Sequence, residues 1–252
     1  MVPKGQENSQ LIAASPLFYH DDEEDHGEYK IIPRHSSSTN HNQLRRNTMS
    51  QSTTHVPPSA LQLPADQNAL VAPSTAPDFV ALGVGFQNYT CKDDGTYGLT
   101  GAVAELFDVS ALYGTPEYDA VQDTAYETWT TSPSTAIEAV PTLFSSQYSL
   151  LGQHYFVPNA SGTGSAPKFD FTKGRFPGNE DAFAILAKAG GLPAPTGSDD
   201  VDWLMLNGTS GKLASQVFRV NTKAGQPPKS GTPGNDISVK YTTKYVFYGA
   251  SL

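Results

Sequence analysis

The 252-residue chain contains a single cysteine, Cys91, so it cannot form an intrachain disulfide. No segment approaches the ~20 consecutive apolar residues of a membrane-spanning helix, so we predict no membrane span. Only 16% of the residues are charged, against 22 Gly and 19 Pro, a composition that argues against a coiled coil or a helical bundle. The formal net charge of -9 disfavours nucleic-acid binding, which depends on Lys and Arg neutralising phosphates.

Residues 1–57 differ from the rest of the chain in composition. They contain five of the six histidines and a stretch rich in Ser, Thr, Asn and Gln, and their apolar residues follow neither a helical nor a strand period. Such a segment cannot bury enough apolar surface to offset the entropy of ordering it. We therefore predict a disordered leader over residues 1–57. The irregular spacing of its histidines matches no metal-ligand pattern, so we predict no metal site.

From residue 58 onward, short segments alternate between apolar and polar side chains, as strands do when their two faces differ. In residues 79–86, Val80, Leu82 and Val84 share one face and Gly83 and Gly85 the other. Similar segments, separated by turn residues, span 102–109, 153–157, 168–172, 201–206, 213–220 and 237–247. The Asn-Gly pair at 207–208, between two predicted strands, indicates a hairpin, and Gly211 favours a loop longer than the two-residue type.

These patterns predict an all-β fold over residues 58–252, a single antiparallel β-sandwich or barrel-like domain with one or two short helices. The first helix is predicted at 116–129, because Pro116 suits the first turn and Glu117 and Asp119 favour the positive N-terminal end. The second is predicted at 181–188, where the following Gly190 and Gly191 occupy the usual stop position.

Three residues are candidates for catalysis: Glu105, Asp108 and His154. Glu105 and Asp108 lie on opposite faces of their predicted strand, so one carboxyl accompanies whichever face is buried. That carboxyl would act either as a general acid with a raised pKa or as an acceptor of backbone amide hydrogens at the strand end. His154, the one histidine after residue 57, would be either a catalytic base or a core histidine held by a hydrogen bond.

Gly83 and Gly85 resemble the start of a dinucleotide-binding loop. Asn88 stands where the third glycine of that motif belongs, and a turn follows where a helix is needed. We therefore predict no nucleotide site and no cofactor. The glycines instead allow another backbone or ring to approach the strand closely.

The aromatic content of 10% favours ligand stacking, since Tyr and Trp combine a flat apolar body with a polar tip. Tyr113, Trp203 and Arg219 are the ligand-binding candidates. Asn88, Asn159 and Asn207 each begin an Asn-x-Ser/Thr acceptor for N-glycosylation. All three are predicted at strand ends or turns.

From residue 61 to the C-terminus, the chain resembles a family of fungal secreted proteins of unknown function, many of which carry the genome label "malate dehydrogenase". The motifs that carry the resemblance are QNYTC, GAVAELFDVSALYGTPEYD, GQHYF, VDWL and FRVNTKAGQPP. The resemblance brings no catalytic residues with it. Family members have a cysteine after the paired prolines, where this chain has Lys229, so the resemblance implies that Cys91 has lost a disulfide partner.

The resemblance implies secretion, whereas residues 1–14 lack the apolar stretch of a secretory signal. Either the chain is a paralogue that is no longer secreted, or the start of its gene is assigned incorrectly. The compartment and the oligomeric state stay open.

Three functions follow from these observations. The first is a non-catalytic binding or structural module of fungal surface or secreted origin, with a carbohydrate or cell-wall component as its partner. The second is a carbohydrate-active hydrolase or lyase that uses Glu105 or Asp108 with His154. A dehydrogenase, as in the genome label, comes third because the glycine pattern does not support it.

Overall fold

The structure, a computed structural model, describes residues 56–159 and 162–252. The predicted disordered leader, residues 1–57, lies outside the described residues except for Val56 and Pro57. Val56 is buried in the hydrophobic core. The packed part of the described chain therefore includes two residues before the predicted domain start at residue 58.

The described residues form eight antiparallel strands that close into a barrel. Each strand pairs with the next in the chain, and the last strand pairs with the first. The strands are β1 (Phe79–Cys91), β2 (Tyr97–Asp108), β3 (Ser149–Pro158), β4 (Ser165–Asp170), β5 (Phe183–Leu192), β6 (Trp203–Ser210), β7 (Gln216–Ala224) and β8 (Asp236–Tyr248). Two helices, α1 (Pro116–Thr131) and α2 (Val140–Phe144), lie between β2 and β3. The prediction of an all-β fold is confirmed, in its barrel form.

Strand β1 is buried on both faces. Its outward residues, including Leu82 and Val84, belong to the same apolar cluster as Trp129 of α1. Its inward residues include Gly83, where a Cβ atom would lie 2.6 Å from Cε2 of Tyr245. Gly83 therefore makes room for a ring inside the barrel, as the sequence predicted, and takes no part in a phosphate loop.

Helix α1 confirms the helix predicted at 116–129. The Thr115 side chain accepts a hydrogen bond from the backbone N–H of Tyr118, and Pro116 occupies the first turn. At the other end, the Lys240 Nζ donates to the backbone oxygens of Trp129 at 2.8 Å and Ser132 at 3.2 Å. The cation thus satisfies carbonyl groups at the negative end of the helix.

The second predicted helix, residues 181–188, is wrong: these residues enter strand β5. Ala184 and Leu186 are fully buried in the barrel core; this period of two is weak in the sequence because the segment is rich in alanine. Gly190 pairs with Met205 inside the strand, and a Cβ atom on Gly190 would lie 2.2 Å from the carbonyl oxygen of Ala69. This glycine permits a close approach and does not end a helix.

The hairpin predicted around Asn207 and Gly208 is present, because β6 and β7 pair antiparallel, but its turn does not lie at 207–208. Asn207 pairs with Ala187 on one side and Gln216 on the other, so it lies within strand β6. Strand β6 ends at Ser210 and β7 begins at Gln216. The turn therefore comes after the Asn-Gly pair, in the longer connection 211–215.

The interior of the barrel, here called the lumen, changes character along its axis. One half is filled by apolar side chains, among them Leu106, Phe169, Leu206, Val217 and Phe247. The other half contains a polar set, Gln87, His154, Arg219, Tyr241 and Tyr245, which we call the lumen cluster. The strand registers place these five side chains on the inner face of the wall.

Candidate functional site

The predicted catalytic residues Glu105 and His154 lie on opposite sides of the barrel wall. Glu105 pairs with Gln153 across strands β2 and β3, and the adjacent Ala104 pairs with His154. Because successive residues of a strand face opposite sides of the sheet, Glu105 faces outward and His154 faces the lumen. The two side chains share no pocket and cannot act on one substrate atom.

Glu105 lines a groove of about 240 Å³ on the outer surface of β2, β3 and β4. Its Oε1 accepts a hydrogen bond of 2.8 Å from Gln153 Nε2. Burial raises the pKa of Glu105, and the charge of Glu138 adds to the effect. The side chain is therefore a buried carboxyl at the base of a shallow groove.

Asp170 lines the same groove. Burial opposes its ionisation, but hydrogen bonds from Lys168, Thr172 and Tyr155 together hold its pKa well below the usual range. Its Oδ2 accepts from Tyr155 and Lys168, both at 2.8 Å, and its Oδ1 accepts from the backbone and side chain of Thr172. Both oxygens are occupied, so Asp170 is not placed to take a proton from a substrate.

His154 is a core histidine. Its Nδ1 lies 3.0 Å from the backbone oxygen of Lys168; a carbonyl oxygen only accepts, so Nδ1 carries the hydrogen. The ring stacks on Phe169 at 4.4 Å between centroids. Burial lowers the pKa of His154 to about 4, and the charge of Arg219 acts in the same direction. The imidazole is therefore neutral at pH 7.

Asp108 lies at the end of strand β2, apart from Glu105 and His154. Its Oδ1 accepts a hydrogen bond of 3.0 Å from the backbone N–H of Ser110, so it accepts a backbone amide hydrogen at the strand end, which was the predicted alternative to general acid catalysis. Its Oδ2 lies 3.8 Å from Nη1 of Arg175. Asp108 also lines a second, larger cleft at the end of the barrel, and neither Glu105 nor His154 lines that cleft.

The ligand-binding candidates occupy different surroundings. Trp203 is 5% exposed and packs in the core, so it offers no ring face to a ligand. The Tyr113 hydroxyl hydrogen-bonds to Ser59 Oγ, and its ring meets the ring of Tyr118 edge-on. Arg219 lies in the lumen cluster. None of the three lines either cleft.

Of the three glycosylation candidates, only Asn159 lies outside the strands, directly after the end of β3. Asn88 lies within strand β1, where its Oδ1 accepts 2.8 Å from Ser238 Oγ. Asn207 lies within β6 and is exposed, with its Oδ1 accepting 2.9 Å from Gln216 Nε2. The predicted placement at strand ends or turns is therefore wrong for Asn88 and Asn207. Attachment of a glycan stays a prediction for all three.

The larger cleft has a volume of about 500 Å³ and opens at the end of the barrel where β1 begins and β2 ends. We call it the end cleft. Its apolar walls include Phe79, Leu112, Leu151, Phe171 and Phe176. Its polar lining includes Asp108, Ser110, Gln147, Tyr148, Ser149 and Arg175.

Backbone hydrogen bonds fix the two loops that build the end cleft. Arg175 donates its N–H to the backbone oxygen of Leu151 at 2.9 Å, which ties the β4–β5 loop to strand β3. Phe176 donates to the backbone oxygen of Phe171 at 3.1 Å within the same loop. Tyr148 donates to Phe144 at 3.0 Å, at the end of α2. Burial raises the pKa of the Tyr148 phenol, and the charge of Glu117 adds to it. The lining is therefore largely preformed.

The end cleft combines aromatic walls with a carboxylate, a guanidinium, an amide and hydroxyl groups. Such a pairing of apolar surface with a few convergent polar groups is typical of sites for small ligands at the mouths of β-barrels. Among the described residues of its lining there is no histidine and no cysteine. The arrangement suits recognition of a polar molecule that has an apolar face.

Comparison with known proteins identifies a family. The sequence profile described as "Protein of unknown function (DUF3455)" matches residues 72–249. The chain belongs to that family. No curated protein and no solved structure matches the chain.

The span that matches the DUF3455 family contains all eight strands and the whole lining of the end cleft. Neither α1 nor α2 is long and apolar enough to cross a membrane. Within residues 56–159 and 162–252, no group of three or more His, Cys, Asp or Glu residues could hold a metal ion. The end cleft is the larger of the two clefts described here, and it is the candidate site that we consider further.

Sequence reasoning found Asp108 but missed Gln147, Tyr148 and Arg175. These three residues lie in loops that carry no motif, and they meet Asp108 only because the barrel brings the ends of β2, β3 and β4 together. A single sequence holds no local signal for such a meeting.

Proposed function

We propose that the protein is a non-catalytic binding module whose end cleft takes a carbohydrate, such as a short cell-wall oligosaccharide. The observation that carries the proposal is the aromatic-walled cleft of about 500 Å³ with Asp108 and Arg175 in its lining. This volume falls within the range of roughly 300–1,000 Å³ that small-ligand sites occupy. On the strength of the family resemblance, we assign this role to the cell surface or the exterior.

The charged pair of the end cleft suits sugar hydroxyl groups. The 3.8 Å separation of Asp108 Oδ2 and Arg175 Nη1 is long for a hydrogen bond, and the two side chains are 25% and 41% exposed. A sugar hydroxyl can donate to the carboxylate and accept from the guanidinium. The aromatic walls, Phe79 and Phe171 among them, supply apolar surface for the C–H face of the sugar ring.

The carboxylates of the end cleft act as acceptors, which supports binding over hydrolysis. Asp78 Oδ2 accepts 2.9 Å from the backbone N–H of Ala250, and Asp108 Oδ1 accepts from that of Ser110. A glycosidase needs one carboxyl that gives up a proton to the leaving group. The alternative hydrolase or lyase, which combined Glu105 or Asp108 with His154, loses support because the barrel wall separates Glu105 from His154.

Titration calorimetry with a panel of neutral cell-wall oligosaccharides tests the proposal. We expect one class to bind the folded protein, and Asp108→Asn combined with Arg175→Met to weaken that binding at least about tenfold, since hydrogen bonds to charged groups contribute about 1.5–3 kcal/mol. The control is Asp181→Asn with Lys212→Met, which removes an exposed ion pair of 2.7 Å outside both clefts.

Equal binding by both double variants would reject the end cleft as the site. Release of reducing sugar from the bound oligosaccharide would reject the non-catalytic role. Absence of binding across the whole panel would reject a carbohydrate ligand.

A further inference from the structure

The lumen cluster lies in the other half of the barrel from the end cleft and has no part in the proposed sugar site. The hydroxyl oxygens of Tyr241 and Tyr245 are 3.0 Å apart. Tyr245 pairs with Arg219 across β7 and β8, and its ring meets that of His154 edge-on at 5.6 Å between centroids. Four polar side chains thus face one another across the lumen.

Arg219 brings a positive charge into this cluster without a carboxylate to balance it. Among the described residues, no Asp or Glu oxygen lies within ion-pair distance of its guanidinium. Its Nε and Nη2 both donate to the backbone oxygen of Asp202, at 3.0 and 2.8 Å. The Nη1 group is not used by that interaction.

The charge of Arg219 acts on the rings around it. Burial raises the pKa of Tyr241 and of Tyr245, and the guanidinium opposes this rise at both hydroxyls. It also lowers the pKa of His154, in addition to the effect of burial. Arg219 is partly exposed, so water offsets part of the cost of its charge, but a cation close to three buried rings and lacking an acid partner still attracts an anion.

The lumen cluster holds more hydrogen-bond donors than acceptors. Gln87 is 1% exposed. Among the described residues no acceptor forms a well-aligned hydrogen bond with its Nε2, although the amide interacts with the Tyr241 hydroxyl and lowers the pKa of that group. Tyr241 and Tyr245 each carry one hydroxyl hydrogen, and the hydrogen bond between them uses only one of the two, so the other can be donated elsewhere. The Arg219 guanidinium also interacts with the Tyr245 hydroxyl. The donors left for a further acceptor are therefore the Gln87 amide and one tyrosine hydroxyl hydrogen, beside the positive charge of Arg219.

We propose that the lumen cluster binds a small monovalent anion between the Arg219 guanidinium and the hydroxyls of Tyr241 and Tyr245. The Gln87 amide supplies a further donor. Arg219 is partly exposed, which gives a small ion a path from solvent. His154 is excluded as a donor because its Nδ1 hydrogen is given to Lys168.

Crystals of the full chain soaked in bromide test the site directly, since bromide gives an anomalous signal. We expect a peak within hydrogen-bond distance of Arg219 and of a tyrosine hydroxyl. No peak there, or an ordered water in its place, would overturn the proposal.

A thermal-shift titration with bromide at constant ionic strength, balanced with sulfate, tests it in solution. We expect Tyr241→Phe to raise the apparent Kd for bromide about tenfold, because it removes one donor and keeps the ring. Arg219→Met should abolish the response. Lys212→Met, which removes an exposed cation outside the barrel, should leave it unchanged. The proposal fails if Tyr241→Phe has the same apparent Kd for bromide as the unmodified chain and the Lys212→Met control. This test does not depend on whether Arg219→Met folds.

Discussion

The end cleft and the lumen cluster both contain an arginine among aromatic side chains, but the side chains of the two regions differ in their exposure to solvent. In the end cleft, Arg175 is 41% exposed and faces the carboxylate of Asp108. In the lumen, Arg219 sits among rings that are almost fully buried and faces no carboxylate of the described residues. Exposure leaves the first pair free to exchange partners with a ligand. Burial makes the rings of the second set part of the framework. Substitutions of those rings should mainly lower stability, whereas substitutions in the end cleft should mainly weaken sugar binding.

The largest expected difference concerns the aromatic side chains of the two regions. Phe169, fully buried in the lumen, packs on His154, Tyr245 and Phe247. Phe169→Ala should lower the free energy of unfolding by about 3–5 kcal/mol, because it leaves a cavity. Phe176→Ala, in the half-buried wall of the end cleft, should cost clearly less and weaken sugar binding. Urea unfolding measures the stability of the two variants, and calorimetry measures their sugar binding. Equal losses of stability in the two variants would contradict the expected difference between the lumen and the end cleft.

Acid should destabilise the lumen through His154. Its pKa of about 4 in the folded protein lies below the ordinary value of 6.5. Between these values the unfolded chain binds the proton first, so stability present above pH 6.5 is lost as the pH falls towards 4, by up to about 3 kcal/mol. His154→Gln should flatten the stability curve in this window. Arg175→Met should leave its shape unchanged; a curve that His154→Gln does not alter would contradict this account.

A third contrast lies between two lysines on the outer face of β8. Lys244 is 2% exposed beneath α1, and its Nζ lies 4.3 Å from the centre of the Tyr118 ring. Burial lowers its pKa to about 8 from the ordinary 10.5, so stability present above pH 10.5 is lost as the pH falls towards 8. Lys244→Met should therefore stabilise the protein at pH 7, by about 2 kcal/mol.

Lys240 provides the matched control, because its Nζ donates to two carbonyl groups at the end of α1. Lys240→Met should lower the free energy of unfolding by about 1 kcal/mol at the same pH. Thermal unfolding of both variants from pH 7 to 10.5 measures the difference. A loss of stability in Lys244→Met at pH 7 would show that the ring contact outweighs the cost of burying the charge.

The smallest effect on stability should come from the end cleft. The Asp108–Arg175 pair is exposed and 3.8 Å apart, and exposed pairs contribute roughly 0–1 kcal/mol. Asp108→Asn with Arg175→Met should therefore change the free energy of unfolding by less than about 1 kcal/mol while it weakens sugar binding. Denaturant curves recorded beside the calorimetry separate the two quantities. A large loss of stability would mean that the pair belongs to the framework.

Much of the fold could be predicted from the sequence, because strand alternation and turn residues are local signals. All seven predicted strand segments overlap strands of the barrel, and Pro116, Glu117 and Asp119 marked helix α1 correctly. Strand β5 was missed because its alanines and glycines carry little β-propensity. Its structure depends on pairing with β4 and β6, which no local pattern records.

The candidate site was less predictable than the fold. The alternation of side chains along a strand predicted that Glu105 and Asp108 lie on opposite faces of β2, and the structure shows the same arrangement. Which face turns inward depends on barrel closure and on α1 covering β1 from outside. The meeting of Asp108 with Tyr148 and Arg175 depends on loop paths between strands, and a single sequence does not encode these in any recognisable pattern.

The pairing of the first strand with the last has a consequence for synthesis on the ribosome. All other pairings join strands that are consecutive in the chain, but β1 offers one edge until β8, the last strand, becomes available. An exposed edge is a site where two unfinished chains can join and aggregate. Closure also brings the two ends of the barrel sequence together, since Asp78 bonds to Phe247 and Ala250. The ends could therefore be joined, and the chain reopened between β3 and β4, to give a permuted barrel in which β1 is made directly after β8 and pairs with it early in translation.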